Sequence, residues 1–134
     1  MNKILISLLF YSILSSFAQD SRFFDVLGKL ESNNNPKAIG DNGLAIGIYQ
    51  IHRNYFIDAT DFDRNLKKYK YNDCFNPEIA KLVVTSYLAR YCRNSTYYDM
   101  ARCHNSGPGW KNKIDLTNRY VGKFKEIELT RPNK

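Results

Sequence analysis

The sequence is short of several things, and each shortage closes off a class of protein. In 134 residues it has three cysteines, two histidines, two methionines and one tryptophan. Cys74, Cys92 and Cys103 permit at most one internal disulfide, so bridges do not scaffold this chain, and the sequence does not choose among the three pairings. No Cys-x-x-Cys pair occurs, and His52 and His104 are isolated from other ligand types, so neither a metal nor a cofactor is expected. Cys103 beside His104 does not read as a nucleophile with its base, because neighbours on a helix point about 100° apart. Beyond the first eighteen residues no apolar run is long enough to span a bilayer, and repeats and low-complexity segments are missing. Acidic residues are in deficit: 13 Asp and Glu against 20 Lys and Arg give a net charge of +7.

What is present begins with an address. Lys3, the mostly apolar stretch Ile4 to Leu14 and the ending Ser16-Phe17-Ala18 have the order of a secretory signal. Residues 1–18 are therefore read as a signal peptide and 19–134 as a single domain, secreted or delivered to a lysosomal or phagosomal lumen. Cleavage would remove one lysine and no acid, leaving a basic chain drawn to polyanions, among which are bacterial wall polymers. Nucleic acid is not the expected partner, because the tightest basic cluster, Lys67-Lys68-Tyr69-Lys70-Tyr71, is short and the other cations are scattered. A monomer is expected.

Periodicity predicts a mostly helical α+β domain. Phe23, Val26, Leu27 and Leu30 lie on one face of a first helix that closes at Glu31. Asn33-Asn34-Asn35-Pro36 breaks it, and Leu44 to Ile51 alternates as one or two short strands. Tyr55 to Ile57 fits core or a short helix, and residues 58–75 read as a charged loop. Asn76-Pro77 starts a central helix to about Tyr91, with Ala80, Val83, Val84, Tyr87, Leu88 and Tyr91 on its apolar face. A shorter helix, about Tyr97 to Asn105, stops at Ser106-Gly107-Pro108-Gly109. Leu116 to Ile127 supplies the last helix, and the tail after Glu128 is expected to fray.

Two carboxylates then stand out. Glu31 sits where a buried stripe meets a helix C-terminus, and both settings disfavour its charged form, as a general acid requires. Asp41 falls in the polar turn Gly40-Asp41-Asn42-Gly43, which should keep it ionised. Two carboxyl groups pushed apart in pKa are what glycoside hydrolysis uses. Both residues are also common as plain cap and turn residues, so spacing alone does not decide.

The order of motifs adds to this. Leu30-Glu31-Ser32, Gly40-Asp41-Asn42-Gly43, Gly47-Ile48-Tyr49-Gln50-Ile51, Tyr87-Leu88-Ala89-Arg90-Tyr91, Ala101-Arg102-Cys103-His104-Asn105-Ser106-Gly107-Pro108 and Tyr120-Val121-Gly122-Lys123-Phe124 resemble, in that order, the invertebrate-type lysozymes. A looser form of the pattern is shared with goose-type lysozymes and soluble lytic transglycosylases. The resemblance covers the whole mature chain. It implies a lysozyme-like catalytic domain with a small β element beside its cleft, cleaving β-1,4 bonds of bacterial peptidoglycan for defence or digestion. It implies Glu31 as the acid and Asp41 as nucleophile or stabiliser; a nucleophile would stand about 5 to 5.5 Å from the acid and retain configuration. A transglycosylase, needing one glutamate, and a non-catalytic wall- or chitin-binding module are the alternatives.

Further substrate contacts are assigned to Tyr49, Gln50, His104, Asn105, Gly107 and Trp110. Each has a plain structural reading beside it: core for Tyr49 and Trp110, a strand-edge cap for Gln50, and an ordinary helix end for the others. The serine and lysine that some invertebrate-type members use for isopeptidase activity are missing from Leu44-Ala45-Ile46 and His52-Arg53, so that activity is not expected.

Overall fold

Helix α1 (residues 21–32) comes first in the computed structural model, which describes residues 21–132. The segment read as a signal peptide lies outside them. Phe23, Phe24, Val26 and Leu27 of α1 are buried, and Leu30 packs at the edge of the same core. Three two-residue strands follow: β1 (Ile39–Gly40), β2 (Ala45–Ile46) and β3 (Ile51–His52), antiparallel in the order β1-β2-β3. Ile39 pairs with Ile46 and Ile46 with Ile51, so the sheet is a tight meander. The expected Leu44 to Ile51 strand region is thus broken by a turn at residues 47–50.

Four further α-helices follow among the described residues: α2 (Arg53–Phe62), α3 (Pro77–Tyr91), α4 (Tyr97–Ser106) and α5 (Ile114–Thr130). The result is the mostly helical α+β, lysozyme-like architecture read from the sequence. Asn76 caps α3 as expected, its side chain accepting from the Glu78 amide, and Ala80, Val83, Val84, Tyr87 and Leu88 are buried. Thr96 caps α4 in the same way through the Asp99 amide.

Two expectations are corrected. Residues 58–75 are not an open charged loop: α2 continues to Phe62, and 3₁₀ turns occupy Arg64–Lys68 and Tyr71–Phe75. Helix α2 buries Phe56, Ala59 and Thr60 while Asp61 faces solvent, so its acids mark the wet face of a helix. The tail also stays helical to Thr130, and Tyr98 donates to Glu128 at 2.9 Å near that end.

All three cysteines are buried and unbridged. Cys92, at the end of α3, and Cys103, in α4, lie near each other, while Cys74 lies in the 71–75 turn.

Candidate active site

A cleft of about 210 Å³ opens where α1 ends, lined by Glu31, Asp41, Ala45, Gln50, His52, His104 and Asn105. One wall is helical. Glu31, in the last turn of α1, is 17% exposed, and the Tyr120 hydroxyl of α5 donates to its Oε1. His104 of α4 brings Nε2 to 3.6 Å from the same oxygen. Among the described residues no donor reaches Oε2, which leaves one carboxyl oxygen available to a ligand.

The His104 contact has the geometry of an ion pair, but burial favours the neutral ring. Burial lowers its pKa and outweighs the opposing pull of the Glu31 carboxylate and the Tyr49 carbonyl. Both ring nitrogens are satisfied in one neutral tautomer: Nε2–H donates to Tyr49 O at 3.0 Å, and Nδ1 accepts from the Tyr55 hydroxyl at 2.8 Å. Tyr55 in turn stacks on Tyr87 at 3.6 Å between ring centroids. Burial pushes the Tyr55 and Tyr120 phenols well above their ordinary pKa, so both remain donors. Glu31 therefore leans on neutral, fixed groups.

The other wall is the β element. Asp41 and Asn42 occupy left-handed backbone at φ +52° and +55°, a region that Asp and Asn tolerate better than other side chains. The Asp41 side chain is 62% exposed, and its one ionic partner among the described residues is His52, with Nε2 3.2 Å from Oδ2. The turn after β2 is held more firmly. Gly47 sits at φ +77°, and a Cβ there would lie 2.3 Å from the carbonyl oxygen of Cys74. Tyr71 places its hydroxyl 2.8 Å from Ile51 O and 3.1 Å from Leu44 O, fastening the sheet to the 71–75 turn. Ser32 joins the two walls by donating to Ile48 O at 2.8 Å while accepting from the Asn35 amide at 3.1 Å.

The six binding residues assigned from sequence divide. Gln50, His104 and Asn105 line the cleft with Glu31 and Asp41. Gln50 lies at φ +52° and donates through Nε2 to Gly47 O at 3.0 Å, so its amide braces its own turn. The Tyr49 ring is in the core, 5.3 Å from that of Phe24, and only its carbonyl serves the site, as the acceptor for His104. Burial raises its phenol to a pKa of about 12. Trp110 is likewise buried in the core, and Gly107, at φ +83°, ends α4 outside the cleft. These three residues are not among those that line the cleft.

The profile of the Destabilase family matches residues 20–127. The chain belongs to the Destabilase family. No curated protein and no solved structure matches it. The family is the invertebrate-type lysozyme and isopeptidase branch of the lysozyme superfamily, a group of lysozyme-related hydrolases.

Two groups at this Destabilase-family cleft escaped the sequence reading. His52 follows Gln50 by two residues, and strand alternation would have set the pair on one face. Tyr120 had no such signal, because its place in the α5 stripe reads as packing and its partner is 89 residues away. Among the described residues no three of His, Cys, Asp and Glu come together as a metal site, and no helix is long and apolar enough to cross a membrane.

Proposed function

We propose that the protein is a secreted lysozyme that cleaves the β-1,4 bonds of bacterial peptidoglycan, with Glu31 as general acid and Asp41 as the second carboxylate. The observation that carries the reading is the company of Glu31 in the cleft. One oxygen is engaged by Tyr120 and lies beside neutral His104, and the other is without a protein donor among the described residues. Such a carboxyl group can deliver a proton to a glycosidic oxygen in a fixed direction. Asp41, in an exposed turn on the facing wall, supplies negative charge for an oxocarbenium-like centre or attacks it. Neutral His104 orients without competing for the proton. Family membership is consistent with this chemistry, and against an isopeptidase reading stands the lining of the cleft, which among the described residues includes neither serine nor lysine.

The test is clearing of a bacterial wall suspension by wild type, Glu31→Gln and Asp41→Asn, with mass analysis of the fragments released. Each variant should stay folded and lose activity, Glu31→Gln by about 10³-fold. Anhydro ends in the products would make the enzyme a transglycosylase. Binding without release, by wild type, would make it a wall-binding module.

A further inference from the structure

The cleft is smaller than the roughly 300–1,000 Å³ of typical ligand sites, so a polymer needs more surface than it offers. That surface lies beyond Tyr120. Leu30, Leu116, Arg119, Tyr120 and Lys123 line a second depression, of about 500 Å³. The two adjoin: Leu30 precedes Glu31 in α1, and the Tyr120 that lines the depression donates its hydroxyl to Glu31 of the cleft.

Its chemistry is amphipathic and cationic. Leu116 is 81% exposed, an apolar side chain left on the surface of α5. Arg119 and Lys123 are four residues apart, hence on one helix face, and both are exposed. Four cations elsewhere among the described residues pair with acids, Arg22 with Glu128, Lys67 with Asp61, Arg102 with Asp99 and Arg131 with Asp25, and many others do not. Arg119 and Lys123 have no carboxylate partner among the described residues, and no acid lines the depression.

We propose that this depression binds a carboxylate-bearing arm of the glycan strand whose backbone passes Glu31. The inference rests on the peptidoglycan reading and specifies how that polymer is told from an uncharged one such as chitin. Arg119 presents a planar fork suited to a carboxylate, and Lys123 adds a second charge one turn along. Leu30 and Leu116 offer apolar surface to the C–H face of a sugar or to the methyl groups of an attached peptide. Because the cations are exposed, their attraction is screened by salt, and discrimination belongs to low ionic strength.

The test separates binding from turnover by using Glu31→Gln protein throughout. Co-sedimentation is measured at low salt with insoluble peptidoglycan, with the same peptidoglycan after its carboxylates are capped as amides, and with chitin. Each is tested with and without Arg119→Ala and Lys123→Ala together. The expected result is about a tenfold weaker Kd on native peptidoglycan in the double variant, little change on the two uncharged polymers, and a difference that shrinks as salt is raised. An equal loss on all three polymers, no loss on any, or no binding to native peptidoglycan overturns the proposal. Wild type that binds in this charge-dependent way but releases no fragments would refute hydrolysis and leave the groove standing.

Discussion

Glu31 and Asp41 line one cleft, yet one side chain is 17% exposed and the other 62%. Glu31 is set by the core: α1 packs it from below, and α4 and α5 each send a side chain to it. Asp41 is set by backbone: two consecutive left-handed residues aim it, and exposed His52 is its ionic partner. The difference teaches where precision resides. Under the proposed function, an acid that must deliver a proton in one direction is held by packed neighbours, and a carboxylate that answers a diffuse positive charge can sit on a turn in water.

If the β wall were soft throughout, Gly47→Ala would be tolerated. The crowding against the Cys74 carbonyl and the positive φ instead predict a loss of about 3 kcal/mol, read as a lower urea midpoint. An unchanged midpoint would mean that the wall is not rooted there. On the helical wall, Tyr120→Phe keeps the ring and removes only the donor to Glu31. It should lower kcat/KM on cell walls about tenfold with a stability loss of about 1 kcal/mol. Full activity would show that packing alone aims the acid.

Acid offers a gentler probe of the same wall. Burial holds His104 below its ordinary pKa of 6.5, even with the Glu31 carboxylate pulling the other way and His52 adding a small repulsion. Between 6.5 and the lowered value the unfolded chain binds a proton that the native state refuses. Stability is therefore full above about pH 6.5 and declines as the pH falls through that window. Urea midpoints that stay flat between pH 7.5 and 5.5 would contradict a neutral, buried ring. The smallest effect is expected from His52→Ala on the exposed wall: activity within about threefold of wild type and an unchanged Tm. A larger loss would mean that Asp41 needs its histidine as much as Glu31 needs its tyrosine.

How far the sequence could be read follows the same division. The position of Glu31, the start of α3 at Asn76-Pro77 and the stop of α4 near Gly107 are local signals, and local signals survive folding. Helix α2 was hidden because its aspartates read as loop, whereas Ala59 and Thr60 between them are buried. Tyr49 and Trp110 belong to the core because neither occupies a position that turns its ring toward the cleft, and spacing cannot tell a buried aromatic from a stacking one. The hold of Tyr120 and His104 on Glu31 is contact between distant parts of the chain, which periodicity does not encode.

The hydroxyl of Ser32 has a consequence of a mechanical kind. It ties the end of α1 to Ile48, so the helix carrying the acid and the root of the β element form one braced frame. Gly28 reinforces the joint, since a Cβ there would come within 3.2 Å of the Ile48 side chain. The span between the two carboxyl groups is thereby gauged in part by a local strut, beside the hold of α4 and α5 on Glu31.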